Sequence, residues 1–155
     1  MGALTDEMKQ VVEYQRLGFV ATVCPDGTPN LSPKGTVCVL DDDHLVFADL
    51  RSPGTVANLR ANPNTEVNVV DPLIRKGYRF KGKAEVFDAG PEFDRLLAFF
   101  SNRGMPDAPA RIRSIVVIRV EHARPVISPG YERVSDEKTM RDYWVKYYLG
   151  DDGGA

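Results

Sequence analysis

The sequence predicts a mainly β fold, an antiparallel barrel that is closed or partly split, with short helices around it. Six segments rich in β-branched and aromatic residues follow one another along the chain, several of them separated by turn residues. Helical patterns are inserted only after the third and the fifth segment, whereas a doubly wound sheet requires strict alternation of strand and helix. A chain of 155 residues has the size of one domain. We expect that domain over residues 1–150 and a frayed tail over 151–155.

The first half of the chain predicts a helix, a hairpin, a third strand and a second helix. Met8, Val11 and Val12 have helical spacing behind a Thr5 or Asp6 cap, and Gly18 is expected to end this helix. The dipeptide Asp26-Gly27 marks the hairpin turn. The elements predicted here are a helix over Thr5–Arg16, strands over Phe19–Cys24, Asn30–Leu40 and His44–Asp49, and a helix over Thr55–Asn62.

The second half predicts three more strands and two more helices. The fifth strand alternates, with Tyr78, Phe80 and Gly82 on one face and basic residues on the other. The helix after Pro91 has a core-facing stripe formed by Phe93, Leu96, Leu97 and Phe100. The elements predicted here are strands over Thr65–Val70, Tyr78–Phe87 and Ile112–Val120, a helix over Glu92–Phe100, a loop over Asn102–Pro109, and a terminal helix over Ser135–Tyr148 with an aromatic cluster.

The composition favours a cytoplasmic protein with no bulk affinity for nucleic acid or membranes. Twenty Lys and Arg stand against 22 Asp and Glu, a net charge of −2, so any anion site must be local. The first ten residues carry acidic side chains and no apolar run, and nowhere do about 18 apolar residues follow one another. We therefore expect neither a signal peptide nor a membrane span.

The segment from Asn30 to Thr36 is the first candidate for a functional site. Pro33 and Gly35 interrupt a strand, and because proline cannot donate to a β ladder and glycine has no side chain to pack, they mark either a bulge or the close approach of a ligand. Lys34 projects between them, with the Ser32 and Thr36 hydroxyls nearby. An edge bulge without function explains the pattern equally well.

The segment from Asp49 to Thr55 is the second candidate. It leaves a strand and enters a helix, whose first N–H groups and positive dipole end favour an anion. Gly54 would let a phosphomonoester come close, and Ser52 and Thr55 add hydroxyls. A plain Ser-Pro helix cap is the alternative interpretation.

Other motifs carry little chemistry. Two histidines without HxxxH or CxxC spacing make a protein-built metal site improbable, and we expect none. Cys24 and Cys38 are expected as two reduced thiols, and the acidic run from Asp41 to Asp43 as a turn. The sequence has no GxSxG, Walker or GxGxxG motif.

Taken in order, these segments resemble the pyridoxamine 5'-phosphate oxidase-like family. The resemblance covers about Gly18 to Val126 and rests on a "DG.P" hairpin, a short helix with "T..NL..NP", and a "G.A" strand followed by "GPEF". It implies a six-stranded antiparallel split β-barrel that forms a homodimer, with FMN in a groove at the subunit interface.

The resemblance also implies which residues would hold the flavin, and both candidate segments are among them. The phosphate and ring edge would be lined by Ser32, Pro33, Lys34, Gly35 and Thr36. Ala48, Asp49 and Leu50 would run along the isoalloxazine, and Gly54, Thr55 and Asn58 would hold the phosphate.

The chain departs from true pyridoxamine phosphate oxidases, so oxidation of vitamin B6 is not predicted. Those enzymes carry Arg-Lys where this chain has Gly54-Thr55, and Lys34, helped by Arg51 or Arg79, would replace several cations. The expected function is an FMN-dependent oxidoreductase that moves a hydride or electrons between a reduced nicotinamide and a small acceptor. The alternatives are an electron-carrier flavoprotein without a substrate, and a haem or deazaflavin binder on the same scaffold. No catalytic acid or base is identified.

Overall fold

The computed structural model describes residues 2–134 and 136–150. Its five helices are α1 (Asp6–Gln15), α2 (Pro53–Ala61), α3 (Gly90–Asn102), α4 (Ala108–Arg111) and α5 (Glu137–Leu149). Its seven strands are β1 (Gly18–Val23), β2 (Pro29–Lys34), β3 (Cys38–Val39), β4 (His44–Asp49), β5 (Asn64–Asp71), β6 (Lys76–Phe87) and β7 (Ser114–Ile127), and a single 3₁₀ turn spans Pro129–Glu132.

The seven strands form one curled antiparallel sheet, which confirms the predicted split-barrel class. The strand order is β2-β1-β5-β6-β7-β4-β3, so the two edge strands, β2 and β3, are neighbours in sequence. A turn over residues 35–37 joins them. The split in the barrel therefore opens beside Lys34, at the end of β2.

The predicted strand over Asn30–Leu40 is divided in two, and this adds the seventh strand. β2 pairs with β1, β3 pairs with β4, and the chain crosses between these partners at Gly35 and Thr36. The Pro33 and Gly35 signal thus marks the end of an edge strand rather than a bulge within one. The last strand also extends beyond its prediction, to Ile127, because β6 pairs with it as far as Lys76.

Several helix boundaries differ from their predictions. Thr5 caps α1 by accepting a hydrogen bond from the Met8 amide, but the helix ends at Arg16, which adopts a left-handed φ of 50°; Gly18 already belongs to β1. The short helix α4 begins within the predicted loop and continues to Arg111. The cap of α5 is Asp136, while Ser135 and the predicted frayed tail at 151–155 lie outside the described residues.

Two apolar clusters hold the elements together. One fills the barrel and is built mainly from Val20, Leu45, Phe47, Val67, Phe80 and Ile118. The other lies under α3, where Leu96 and Phe100 are buried and Phe93 and Leu97 are partly buried, as the helical stripe predicted. Both clusters include buried residues of β4, so the end of this strand is firmly fixed.

The pairing of β6 with β7 shifts its register between Lys81 and Gly82. A Cβ atom added at Gly82 would lie 2.0 Å from the Arg119 carbonyl oxygen, which is backbone of the neighbouring strand. No side chain fits there, which explains a glycine in the interior of a strand.

The structure shows directly two of the smaller sequence predictions, the acidic turn and the cysteine thiols. The run from Asp41 to Asp43 is a turn, in which the Asp41 carboxylate accepts from the Asp43 amide at 2.8 Å. Cys24 and Cys38 are free thiols. Within residues 2–134 and 136–150, no helix is long and apolar enough to cross a bilayer, and no group of three or more His, Cys, Asp or Glu side chains could hold a metal ion.

Candidate functional site

Lys34 occupies a buried position where the end of β2 meets the start of α2. Its residue is only 5% exposed, and its Nζ donates to Ser32 Oγ at 2.5 Å and to Ser52 Oγ at 2.6 Å. The same ammonium lies 5.9 Å from the centre of the Phe47 ring. The turn after β2 and the loop after β4 bring these groups together, and we call Ser32, Lys34, Asp49 and Ser52 the Lys34 site.

Burial lowers the pKa of Lys34, and attraction to the Asp49 carboxylate opposes that effect in part. Asp49 is itself held by two hydrogen bonds: its Oδ1 accepts from the Ser52 amide at 2.6 Å, and its Oδ2 from Ser114 Oγ at 3.4 Å. A desolvated cation is stabilised by an anion. Because Asp49 offsets the burial of Lys34 only in part, a further anion beside the ammonium would stabilise its charge.

The first turn of α2 adds open space and polar groups. Ser52 is the N-cap, but its hydroxyl makes no capping bond to the helix, since it accepts from Lys34 instead. The first amides of a helix have no partner within it. A Cβ atom added at Gly54 would meet nothing within 4 Å, so the protein itself does not fill the space before this turn.

Buried polar side chains fix α2 and the turn after β2. Asn58 donates from Nδ2 to Thr22 Oγ1 at 3.0 Å, which ties α2 to β1, and Thr55 is buried beside it along the helix. Thr36 Oγ1 exchanges two hydrogen bonds of 3.0 Å with the backbone of Ala48. The side chains of Asn58 and Thr36 thus serve to position neighbouring elements.

The remaining predicted residues lie around this core of the site. Gly35 is exposed in the turn, and Leu50 packs beside the α3 cluster. Pro33 pairs with Phe19 and faces the outside of the sheet, since alternate residues of a strand point to opposite faces. Arg79 lies on that same outer face, with its Nε 2.5 Å from Glu66. Within one chain it therefore does not lie beside Lys34 as a second cation. Ser114 and Phe47 contact the site without having been predicted.

A donor set of this kind fits a phosphomonoester. It combines one desolvated ammonium, two hydroxyls and a helix N-terminus with vacant space in front of it. A cavity of about 770 Å³ lies elsewhere, between α1 and the neighbourhood of α5. The site is thus recognised by its chemistry rather than by its volume.

Comparison with known proteins identifies the family. The profile described as pyridoxamine 5'-phosphate oxidase matches residues 4–126. The chain belongs to the pyridoxamine 5'-phosphate oxidase family. The match covers α2 and all of the barrel except the last residue of β7, and it ends before α5.

Several individual proteins are similar to this chain over most of their length. An uncharacterized protein of Methanocaldococcus jannaschii, MJ0282, is 28% identical over 76% of each chain. HupZ of Group A Streptococcus, solved in a tagged form, is 29% identical with a TM-score of 0.71, covering 81% of this chain and 95% of its own. An FMN-binding protein from Syntrophomonas wolfei shares the fold at 17% identity and a TM-score of 0.63, covering 79% and 86%.

Proposed function

We propose that the chain binds FMN at the Lys34 site and works as an oxidoreductase that moves a hydride or electrons between a reduced nicotinamide and a small acceptor. The observation that carries the proposal is the desolvated Lys34 ammonium held by two serine hydroxyls at the start of α2. Membership of the pyridoxamine 5'-phosphate oxidase family and the fold shared with an FMN-binding protein support the choice of FMN. The two free cysteines fit a reducing compartment, and we propose the cytoplasm.

Different residues of the site would contact different parts of the flavin. Ser32, Lys34 and the first turn of α2 at Gly54 and Thr55 would hold the phosphate. The end of β4, from Ala48 to Leu50, would lie along the ring system. When bound, FMN would supply the hydride chemistry, and the chain would bind and orient it.

Turnover tests the proposed activity. The FMN-loaded protein should oxidise NADH or NADPH in the presence of an artificial acceptor, and the flavin-free protein should not. FMN binding without any turnover would contradict the proposed oxidoreductase activity. The protein would then be an electron carrier without a substrate of its own.

The pH dependence of binding tests the role of Lys34. A protonated Lys34 attracts the phosphate dianion, and because burial lowers its pKa, the flavin-free protein loses this proton below the ordinary lysine value of about 10.4. The affinity for FMN relative to riboflavin should be full below that lowered pKa and should fall as pH rises through it. In Lys34→Ala the ratio should stay flat over the same range. A flat ratio in the native protein would contradict the assignment.

We also propose a homodimer in which both chains enclose each FMN. The helix α5 packs on its own barrel through Met140, which is buried, and Arg141, whose guanidinium lies 3.4 Å from Asp71. Its tyrosines at 143, 147 and 148 are more than half exposed, and exposed aromatic surface of this kind is typical of interaction sites. A two-fold interface would bury part of it.

Light scattering after size exclusion measures the oligomeric state. A chain stopped after Ser128 should lose both the dimer and FMN. Because this also removes the contacts of α5 with its own barrel, a full-length Tyr143→Ser, Tyr147→Ser variant, which keeps Met140 and Arg141, should lose the dimer too. A truncated monomer that still holds FMN would contradict a site shared between chains.

A further inference from the structure

The outer face of the sheet is divided into an apolar half and a basic half. Residues that pair directly across antiparallel strands lie on the same face, so the register aligns two neighbouring rows from β2 to β7. One row is Pro33, Phe19, Asn68, Arg79 and Arg124, and the next is Leu31, Ala21, Glu66, Lys81 and His122. The basic half lies on β6 and β7.

Three cross-strand pairs on this face join two basic residues each. They are Arg79 with Arg124, Lys81 with His122, and Lys83 with Arg119. Directly opposite side chains have Cβ atoms roughly 5 Å apart, and like charges in such pairs destabilise a sheet. Two of these pairs, Arg79 with Arg124 and Lys83 with Arg119, place two cations directly opposite each other. An anion bound between such cations would offset their repulsion.

The protein neutralises the basic half only in part. Glu66 lies 2.5 Å from Arg79 Nε and 3.6 Å from Lys81 Nζ. No ion pair among the described residues includes Arg124, Lys83 or Arg119. Glu85 and Glu121 line a cavity together with Lys83 and Arg119. The unbalanced positive charge is therefore concentrated around Arg79, Lys81 and Arg124.

Arg79, Lys81, His122 and Arg124 line a cavity of about 300 Å³. We propose that these four residues, the basic pocket, bind the phosphate or pyrophosphate group of a small molecule. Two guanidiniums on opposite strands can each donate paired hydrogen bonds to phosphate oxygens, and the volume is at the lower end of ligand pockets. The net charge of −2 opposes a long polyanion such as nucleic acid.

Within one chain, the basic pocket and the Lys34 site lie on opposite faces of the sheet. Pro33 shares a row with Arg79 and Arg124, and Lys34, the next residue of β2, faces the opposite side of the sheet. The proposal thus does not depend on flavin binding. The basic pocket could bind phosphate even if the chain does not bind FMN at the Lys34 site.

Calorimetric titration with pyrophosphate tests the basic pocket in the full-length protein. Arg124→Gln should weaken pyrophosphate binding at least tenfold, and inorganic phosphate should bind more weakly than pyrophosphate. Arg111→Gln, which removes the same charge from an exposed side chain on α4, should leave the affinity unchanged. Unchanged affinity in Arg124→Gln would overturn the proposal.

Thermal unfolding supplies a second readout that a purely structural role would not give. Without added anion at low salt, Arg124→Gln should melt at a higher temperature than the native protein, because one like-charge pair is removed. Pyrophosphate should raise the melting temperature of the native protein more than that of Arg124→Gln. Dissociation of a dimer by Arg124→Gln, or binding of a single-stranded oligonucleotide without binding of pyrophosphate, would contradict the proposal.

Discussion

Replacing Lys34 with alanine is expected to weaken FMN binding by roughly ten- to a hundredfold, because a charge-assisted contact contributes about 1.5–3 kcal/mol. The ammonium is buried and held by Ser32 and Ser52, so no water takes its place at low cost. Riboflavin lacks the phosphate dianion, and its affinity should change far less. Fluorescence titration of the flavin-free protein with both flavins measures the difference.

The control for Lys34→Ala is Lys138→Ala. It removes the same charge from α5 at a side chain that is 84% exposed, and it should change neither affinity. Circular dichroism should show that the Lys34→Ala barrel is folded at the titration temperature. An equal loss of affinity for FMN and riboflavin would contradict a phosphate at Lys34.

The variant Gly82→Ala is expected to lower the free energy of unfolding by about 3 kcal/mol, at the upper end of the usual cost of overpacking. The added methyl would lie 2.0 Å from the Arg119 carbonyl oxygen, and neither strand can move without disturbing the pairing of β6 with β7, the two longest strands of the sheet. Urea unfolding of the flavin-free protein measures the change.

Gly54→Ala is the matched control for Gly82→Ala. The same methyl group is added, but in open space, and alanine is the better helix former by about 1 kcal/mol. This variant should be as stable as the native protein or slightly more so. If Gly82→Ala unfolded at the same urea concentration as Gly54→Ala, the close approach of β7 to Gly82 would be wrong.

The sequence predicted the order of strands and helices because each was specified locally. The alternation along β6 and the apolar stripe of α3 both appear as expected. The division between β2 and β3 could not be derived locally, because it depends on each segment pairing with a different partner, β1 or β4. The left-handed conformation of Arg16 at the end of α1 has no sequence signal of the kind that glycine provides.

The candidate site was predictable to the level of segments but not of individual contacts. Pro33 and Gly35 marked the right place, and Lys34 lies buried there. That Ser52 accepts from Lys34 and that Asn58 donates to Thr22 depends on how α2 packs against β1. The sequence suggested Arg79 as a second cation beside Lys34. It could not show that Arg79 lies on the opposite face, because the faces of β6 relative to β2 follow only from the register of the whole sheet.

The absorption spectrum of the purified protein tests the central claim, FMN binding, most directly. The protein should show the two visible and near-ultraviolet bands of an oxidised flavin, and denaturation should release FMN in a ratio approaching one per chain. Retention of FMN on the native protein and its loss from Lys34→Ala during the same purification would agree with the proposed site. A haem or deazaflavin spectrum, or a colourless protein that does not take up added FMN, would contradict it.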